Sequence, residues 1–324
     1  MDQGGMGNGV KGRFAPSPSG RMHLGNLFSA LLVWLSARAE GGEVVLRVED
    51  LDPYRSREAY ALQLMDDLRW LELDWDEGPG QGGPHGPYFQ SRRSDFYAAA
   101  LEQLREKDLL YPCFCTREEL HAAQAPHRAD GQAVYDGRCW RLSAEEIARR
   151  EQKRAPALRL RVPEEMVSFQ DGHYGLYEEN LARDCGDFIL RRSDGVYAYQ
   201  LAVVVDDALM GVTQVVRGRD LLGSTPRQIY LGRMLGLTPP AFSHLPLLVA
   251  PDGRRLSKRE RDLDLGALRE RGASPQAILG WLAWAGGLLD RPQPARAREL
   301  LPLFSWEKVP REDIVVAPGI EKAF

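Results

Sequence analysis

Short apolar runs stand at Val10–Ala15 and Glu43–Val48, the second rich in β-branched residues. The long apolar run Leu24–Ala39 lies between them and is closed by Gly41 and Gly42. Short β-branched runs suit strands, a long apolar run suits a buried helix, and a glycine pair is a natural helix stop. Strand, helix and strand in that order make the βαβ unit of a parallel sheet, whose ligands lie beyond the carboxyl ends of its strands. Ser56–Leu73 has the spacing of a further amphipathic helix.

Gly78–Pro87 is crowded with glycine and proline and marks a break. Residues 88–185 mix helical runs with cysteines and charges and read as an insertion. Strand-like runs return at Phe188–Arg191, Tyr199–Val205, Val212–Arg217 and Leu245–Ala250. From Leu263 the pattern is helical, and Ala277–Trp284 is its most apolar stretch. No internal repeat is visible. The expected architecture is therefore α/β, with a doubly wound, Rossmann-type parallel sheet forming a catalytic domain from residues 10–87 and 186–254. The insertion at 88–185 interrupts it, and residues 255–324 follow as a basic loop and a small helical C-terminal domain.

Composition narrows the class. The 324 residues are 44% apolar and 27% charged, which fits an ordinary globular protein of one or two domains. No apolar run approaches the roughly 20 residues that span a bilayer. The opening residues 1–9 lack the apolar core of a signal peptide and read as a frayed tail. Four cysteines, three of them close together, do not suggest a disulfide framework, so the cytoplasm is the expected compartment. A monomer is expected. The net charge of −4 argues against indiscriminate binding to nucleic acid. Basic residues gather locally at Arg92 and Arg93, at Arg149–Arg154 and at Arg254–Arg261. Solvated faces explain such clusters as readily as an RNA surface does.

Two stretches carry chemistry. Pro16-Ser-Pro-Ser-Gly-Arg-Met-His-Leu-Gly-Asn26 joins the first strand to the first helix and puts His23 and Gly25 at the helix start. A helix N-terminus gathers unpaired N–H groups and partial positive charge, which suits phosphate oxygens. Far down the chain, Arg255-Leu-Ser-Lys-Arg259 places Lys258 in a loop, a mobile positive charge for outer phosphates. Together they read as an ATP site.

His23-Leu-Gly-Asn26 resembles the HIGH motif of class I aminoacyl-tRNA synthetases, and Leu256-Ser-Lys-Arg259 resembles the end of their KMSKS motif. Gly12–Gly20, Leu46-Arg-Val-Glu-Asp-Leu-Asp52 and Val204-Val-Asp-Asp207 resemble the glutamate branch of that class. Either short motif alone arises often by chance, but five in family order over residues 10–260 are specific. Within the branch the chain is most similar to the shortened members, the glutamyl-Q tRNA(Asp) synthetases. The longer members carry an anticodon-binding region, and the resemblance to the shortened members implies that none is expected after Lys258.

The resemblance implies roles. His23 and Lys258 would be catalytic, with Gly25, Asn26 and Asp220 completing the ATP site. Arg13, Ala15, Ser17, Glu49, Tyr199 and Arg217 would bind L-glutamate, Glu49 holding its ammonium. A guanidinium fork is the natural partner of the side-chain carboxylate. Surface salt bridges would be the ordinary fate of the same arginines. Asn26 replaces a histidine of the family pattern, and Arg255 replaces a lysine, keeping the charge but not the compact ammonium. Cys113, Cys115, Tyr135 and Cys139 resemble the family's three-cysteine zinc site, with one structural ion expected. His121 and His127 are more ordinary ligands nearby, and three buried free thiols are the alternative. Cys185 stands apart as a core residue.

The implied function is magnesium-ATP-dependent activation of glutamate and its transfer to queuosine in tRNA(Asp). The alternatives are a truncated glutamyl-tRNA synthetase charging the 3′ end of tRNA(Glu), a ligase acting on a protein or small molecule, and a non-catalytic synthetase-like tRNA-binding protein.

Overall fold

The computed structural model describes residues 9–116, 119, 134–254, 256 and 263–324. The expectations for the tail before Gly9 and for His121, His127, Arg255 and Lys258 lie outside them.

The central sheet has six strands. In chain order they are β1 (Lys11–Phe14), β2 (Glu43–Leu46), β5 (Met166–Asp171), β6 (Gly175–Asn180), β8 (Gln214–Gly218) and β9 (Ala241–Leu245). Their spatial order is β2-β1-β8-β9-β5-β6. All neighbours are parallel except the hairpin of β5 and β6. The sheet is mixed rather than wholly parallel, with one antiparallel strand at its edge. The crossover from β1 to β2 is α1 (Leu24–Ala39), as the apolar run predicts. It ends at Gly41, whose φ of +68° favours glycine. A Cβ on Gly42 would sit 2.3 Å from the Val10 carbonyl oxygen, so this position also excludes a side chain.

Strand residues alternate between two cores. Val44, Leu46 and Val216 face one that contains α1, α2 (Glu58–Trp70) and the C-terminal helices; Val45 and Val215 face the other. That second core packs α3 (Ser94–Glu106), α5 (Tyr199–Leu209) and α6 (Thr225–Met234). A sheet buried on both faces is what near-continuous apolar strands require. Tyr199–Val205 is helical, not a strand. Its valines suit either form, but a helix turns Asp206 and Asp207 inward to guanidinium partners while Leu201, Ala202 and Val205 reach the core. The run from Leu245 to Ala250 is also divided. β9 ends at Leu245 before Pro246, and β10 (Leu248–Val249) pairs instead with β11 (Ile314–Val315).

The pairings cross the limits drawn for the insertion. β3 (Leu110–Cys113), β4 (Ala157–Leu160) and β7 (Phe188–Arg191) form a separate three-stranded antiparallel sheet, whereas β5 and β6 belong to the central one. Between β3 and β4 lies α4 (Ala144–Glu151), a surface helix with no fully buried residue. The C-terminal helices α7 (Leu265–Glu270), α8 (Pro275–Ala285) and α9 (Ala297–Leu300) do not build a core of their own. Leu268, Ile278, Trp281 and Leu300 join the cluster that buries α1.

Gly280 in α8 tests this shared packing. A Cβ there would lie 1.7 Å from the backbone oxygen of Gln293, which cannot yield as a side-chain tip could. Gly280→Ala should lower stability by about 1–3 kcal/mol through overpacking. Thermal unfolding followed by tryptophan fluorescence should show one transition at lower temperature. A separate early transition with the remainder unchanged would contradict the shared core.

Candidate active site

The first turn of α1 is fixed by its own side chains. His23 is the N-cap, and its Nδ1 accepts a hydrogen bond from the Gly25 N–H at 3.1 Å. Asn26 closes the reciprocal bond, its Oδ1 accepting from the His23 N–H at 3.2 Å. This capping box explains the departure at Asn26: its side chain is turned back to hold the helix start. Because Nδ1 is an acceptor, a neutral imidazole carries its proton on Nε2, a donor suited to phosphate oxygen. Gly25 allows the arrangement, since a Cβ would lie 3.0 Å from His23 Cε1. The first turn itself carries no acidic residue to offset the helix dipole.

A cleft of about 630 Å³ opens above this turn, at the carboxyl ends of β1 and β8. Every described residue expected at the site lines it: Arg13, Ala15, Ser17, His23, Gly25, Asn26, Glu49, Tyr199, Arg217 and Asp220. The volume suits a nucleotide and an amino acid together.

Beneath the cleft lies a buried charge network. Arg47 is fully buried, its Nη1 donating to Asp207 Oδ1 at 2.6 Å and its Nη2 to Glu49 Oε1 at 3.2 Å. Burial alone would lower the Arg47 pKa, but Asp207, Asp206 and Glu49 outweigh it and raise it. Asp206 is held by Arg93 Nε at 2.6 Å, Gln90 Nε2 at 2.8 Å and Tyr97 Oη at 2.8 Å. Arg13 lies 3.4 Å from Asp207 and donates to the Val216 carbonyl at 3.3 Å. Burial pushes the Glu49 carboxyl up, against the pull of Arg47 and Arg13. Arg93, expected in a basic surface cluster, is 1% exposed and belongs to this network. Its site is structural because Asp206 could not be buried unpaired.

Arg217 is held differently. Its Nη1 donates to Gln228 Oε1 at 2.8 Å and Tyr199 Oη at 3.4 Å. Its Nη2 donates to Thr225 Oγ1 at 2.8 Å and the Leu221 carbonyl at 3.4 Å, and its Nε to His244 at 3.1 Å. All five partners are uncharged, and burial lowers its pKa. The guanidinium is thus a buried cation with no carboxylate bonded to it among the described residues. The two contacts at 3.4 Å, both on the cleft side, are long enough to be exchanged for a stronger acceptor.

Away from the cleft, Cys113, Cys115 and Cys139 converge with Tyr135. Cys115 Sγ and Cys139 Sγ are 3.5 Å apart, and Tyr135 Oη lies 3.6 Å from Cys113 Sγ and 3.9 Å from Cys115 Sγ. Donors around a tetrahedral zinc with bonds of about 2.3 Å are about 3.8 Å apart, so the spacing fits a metal. Burial beside the other sulfurs pushes the Cys115 thiol up to about 12. Burial also opposes the Cys113 thiolate, but the Arg159 guanidinium overcomes it and lowers that pKa. Cys185 is buried elsewhere, in the second core.

The family described as tRNA synthetases class I (E and Q), catalytic domain, matches residues 9–296. A glutamyl-Q tRNA(Asp) synthetase of Symbiobacterium thermophilum is 53% identical over 94% of this chain and 94% of its own length. A second, from Nitratidesulfovibrio vulgaris, is 50% identical over 96% and 97%. The chain belongs to this family of class I synthetases. A glutamate–tRNA ligase 2 of Alkalilimnicola ehrlichii is also 50% identical, but the match spans 86% of this chain and 58% of the ligase. The crystal structure of a glutamate tRNA ligase from Elizabethkingia meningosepticum, in complex with its amino acid, superposes with a TM-score of 0.82 at 31% identity. It matches 97% of this chain and 68% of that one.

Sequence reasoning assigns no role to Arg47, Asp206, Asp207, His244, Gln228 and Thr225, which shape the synthetase's site. Arg47 and Glu49 are two apart, the spacing that puts strand side chains on one face. Asp206 and Asp207 sit in an otherwise apolar run, a sign of buried pairing. His244, Gln228 and Thr225 carry no comparable signal, because only the fold brings them to Arg217.

If Glu49 holds the substrate ammonium, as the resemblance implies, its raised pKa sets a pH dependence. A carboxylate must be ionised to hold an ammonium, and Glu49 takes up a proton at a higher pH than an ordinary carboxyl. The KM for glutamate should rise as pH falls through that raised value, before ordinary carboxylates titrate. Glu49→Gln should raise KM at every pH and abolish the dependence. Pyrophosphate-exchange kinetics against pH check this; an unchanged profile in the variant would remove Glu49 from substrate binding.

Proposed function

We propose that the cleft activates L-glutamate with ATP and passes it to queuosine in tRNA(Asp). In the first step an α-carboxylate oxygen attacks the α-phosphorus of magnesium-ATP. The bond from phosphorus to the bridging oxygen breaks, and pyrophosphate leaves with the electron pair. In the second, a hydroxyl of the queuosine cyclopentenediol attacks the carbonyl carbon of the adenylate. AMP leaves, the hydroxyl proton passes to solvent, and an ester forms. Charge gathers on phosphate oxygens during the first step, so catalysis is chiefly positioning and electrostatic stabilisation.

In this reading His23 Nε2–H and the N–H groups of the α1 start, Gly25 and Asn26 among them, receive the phosphates. Lys258 follows the leaving pyrophosphate, and Asp220 meets the ribose. Glu49 holds the ammonium, with Arg13, Ala15 and Ser17 around the α-carboxylate. Arg217 and Tyr199 take the side-chain carboxylate. The observation that carries the substrate assignment is Arg217 itself, a buried guanidinium whose hydrogen-bond partners among the described residues are all neutral. An anionic side chain supplies the missing charge.

Cys113, Cys115, Cys139 and Tyr135 would hold one zinc ion, whose contribution is structural, relieving the crowding of buried sulfurs.

The acceptor is supported by likeness over 94% of both this chain and the glutamyl-Q tRNA(Asp) synthetase of S. thermophilum. The 50% identity to a glutamate–tRNA ligase favours a second reading, charging of tRNA(Glu) at its 3′ end. A transfer assay with radiolabelled glutamate separates them. Label should enter tRNA(Asp) that contains queuosine, and neither unmodified tRNA(Asp) nor tRNA(Glu). Labelling of tRNA(Glu), or equal labelling of both forms of tRNA(Asp), would restore the second reading.

A further inference from the structure

Arg217, His244 and Asp171 stand at the carboxyl ends of three consecutive strands of the central sheet, β8, β9 and β5. Arg217 and His244 are register partners across the parallel pair. Asp171 ends β5, pairing there with Phe242 two residues before His244. The three side chains form a continuous hydrogen-bonded line, and His244 and Asp171 are almost fully buried.

The direction of each bond follows from the donors available. Arg217 Nε can only donate, so His244 Nε2, 3.1 Å away, accepts and carries no proton. The proton of the neutral imidazole is then on Nδ1, which donates to Asp171 Oδ2 at 2.5 Å. The other carboxylate oxygen is fixed by backbone donors: His173 N–H at 3.0 Å, Tyr174 N–H at 2.9 Å and His244 N–H at 3.2 Å. Asp171 is therefore oriented by its backbone, the imidazole by Asp171, and the guanidinium by the imidazole. Burial and the nearby guanidinium keep His244 neutral, although Asp171 pulls the other way.

We propose that His244, locked by Asp171 as its Nδ1–H tautomer, is the positioning residue that sets the plane of Arg217 and so the selection of an acidic side chain. The inference rests on Arg217 holding the substrate's side-chain carboxylate. The other four Arg217 donors meet oxygens of a tyrosine, a glutamine, a threonine and a backbone carbonyl. Among the described residues the imidazole is the partner at the Nε end, and Thr225 Oγ1 lies 3.3 Å from its Nε2, so together with the 2.8 Å bonds to Gln228 and Thr225 it fixes which edge of the guanidinium faces the cleft.

Four variants test the line by pyrophosphate exchange, with KM measured separately for glutamate and ATP. Arg217→Ala checks the underlying reading: an unchanged KM for glutamate would overturn that reading whatever His244 does. Asp171→Asn keeps Oδ1 for the backbone donors but offers an amide N–H to Nδ1. The imidazole proton is then drawn to Nε2, where it opposes the Arg217 donor. This variant should raise the KM for glutamate by about tenfold or more while that for ATP stays within about twofold, as an unmet buried donor implies. His244→Phe should do the same, whereas His244→Gln, which keeps an acceptor for Arg217, should recover most of the loss. Imidazole ¹⁵N shifts supply an independent readout, with Nδ1 protonated in the unaltered protein and Nε2 in Asp171→Asn. If Arg217→Ala raises the KM for glutamate but Asp171→Asn and His244→Phe do not, the positioning role is wrong and the substrate reading stands. If these two variants raise both KM values alike, the line only stabilises the fold and the proposal is equally overturned.

Discussion

Arg47 is the buried charge on which the floor of the cleft depends. Removing a guanidinium from water is tolerated only when carboxylates meet it with good geometry. Asp207 and Glu49 do so, while Asp206 beside them is met by Arg93. Three guanidiniums, of Arg13, Arg47 and Arg93, thus face three carboxylates, of Glu49, Asp206 and Asp207. This ties the end of β2, the helix α5 and the segment before α3 into one rigid base. Loss of Asp207 would leave Arg47 hydrogen-bonded to no carboxylate but Glu49, and loss of Asp206 would leave Arg93 with backbone carbonyls in place of a carboxylate, so the network holds the backbone that presents Glu49 and Tyr199 to the cleft. Arg217 is bonded to none of these carboxylates, and in the proposed function that exception gives the cleft its preference for an anion.

The phosphate end is built by different means. His23 and Asn26 cap the helix that follows, so the residues that face ATP in the proposed function also fix the helix whose dipole acts on it. The C-terminal helices brace α1 from behind, because Ile278, Trp281 and Leu282 share its core. A change in that packing reaches the N-terminal turn through a rigid element.

Much of this was legible in the sequence for identifiable reasons. α1 and its glycine stop are local features, and the motifs around His23 and Glu49 lie on contiguous residues. The helix at Tyr199–Leu209 was misread because three valines in a row satisfy a strand pattern equally well. The decisive constraint was the inward placement of Asp206 and Asp207, which is tertiary. Arg93 was read as a surface charge because its partner is remote in sequence. The strands β5 and β6 were hidden in the insertion because a polar edge hairpin has a weak apolar pattern. The line from Asp171 to Arg217 was beyond reach, since it depends on which strands become neighbours.

The central claim is that Arg217, a buried cation with no carboxylate bonded to it among the described residues, selects glutamate. Pyrophosphate exchange with glutamine in place of glutamate tests it most directly, because the two differ in charge and hardly in shape. The account predicts that kcat/KM falls by roughly thirtyfold or more for glutamine, since losing one partner of a buried charge pair costs about 2–5 kcal/mol. Comparable turnover of the two amino acids would contradict it.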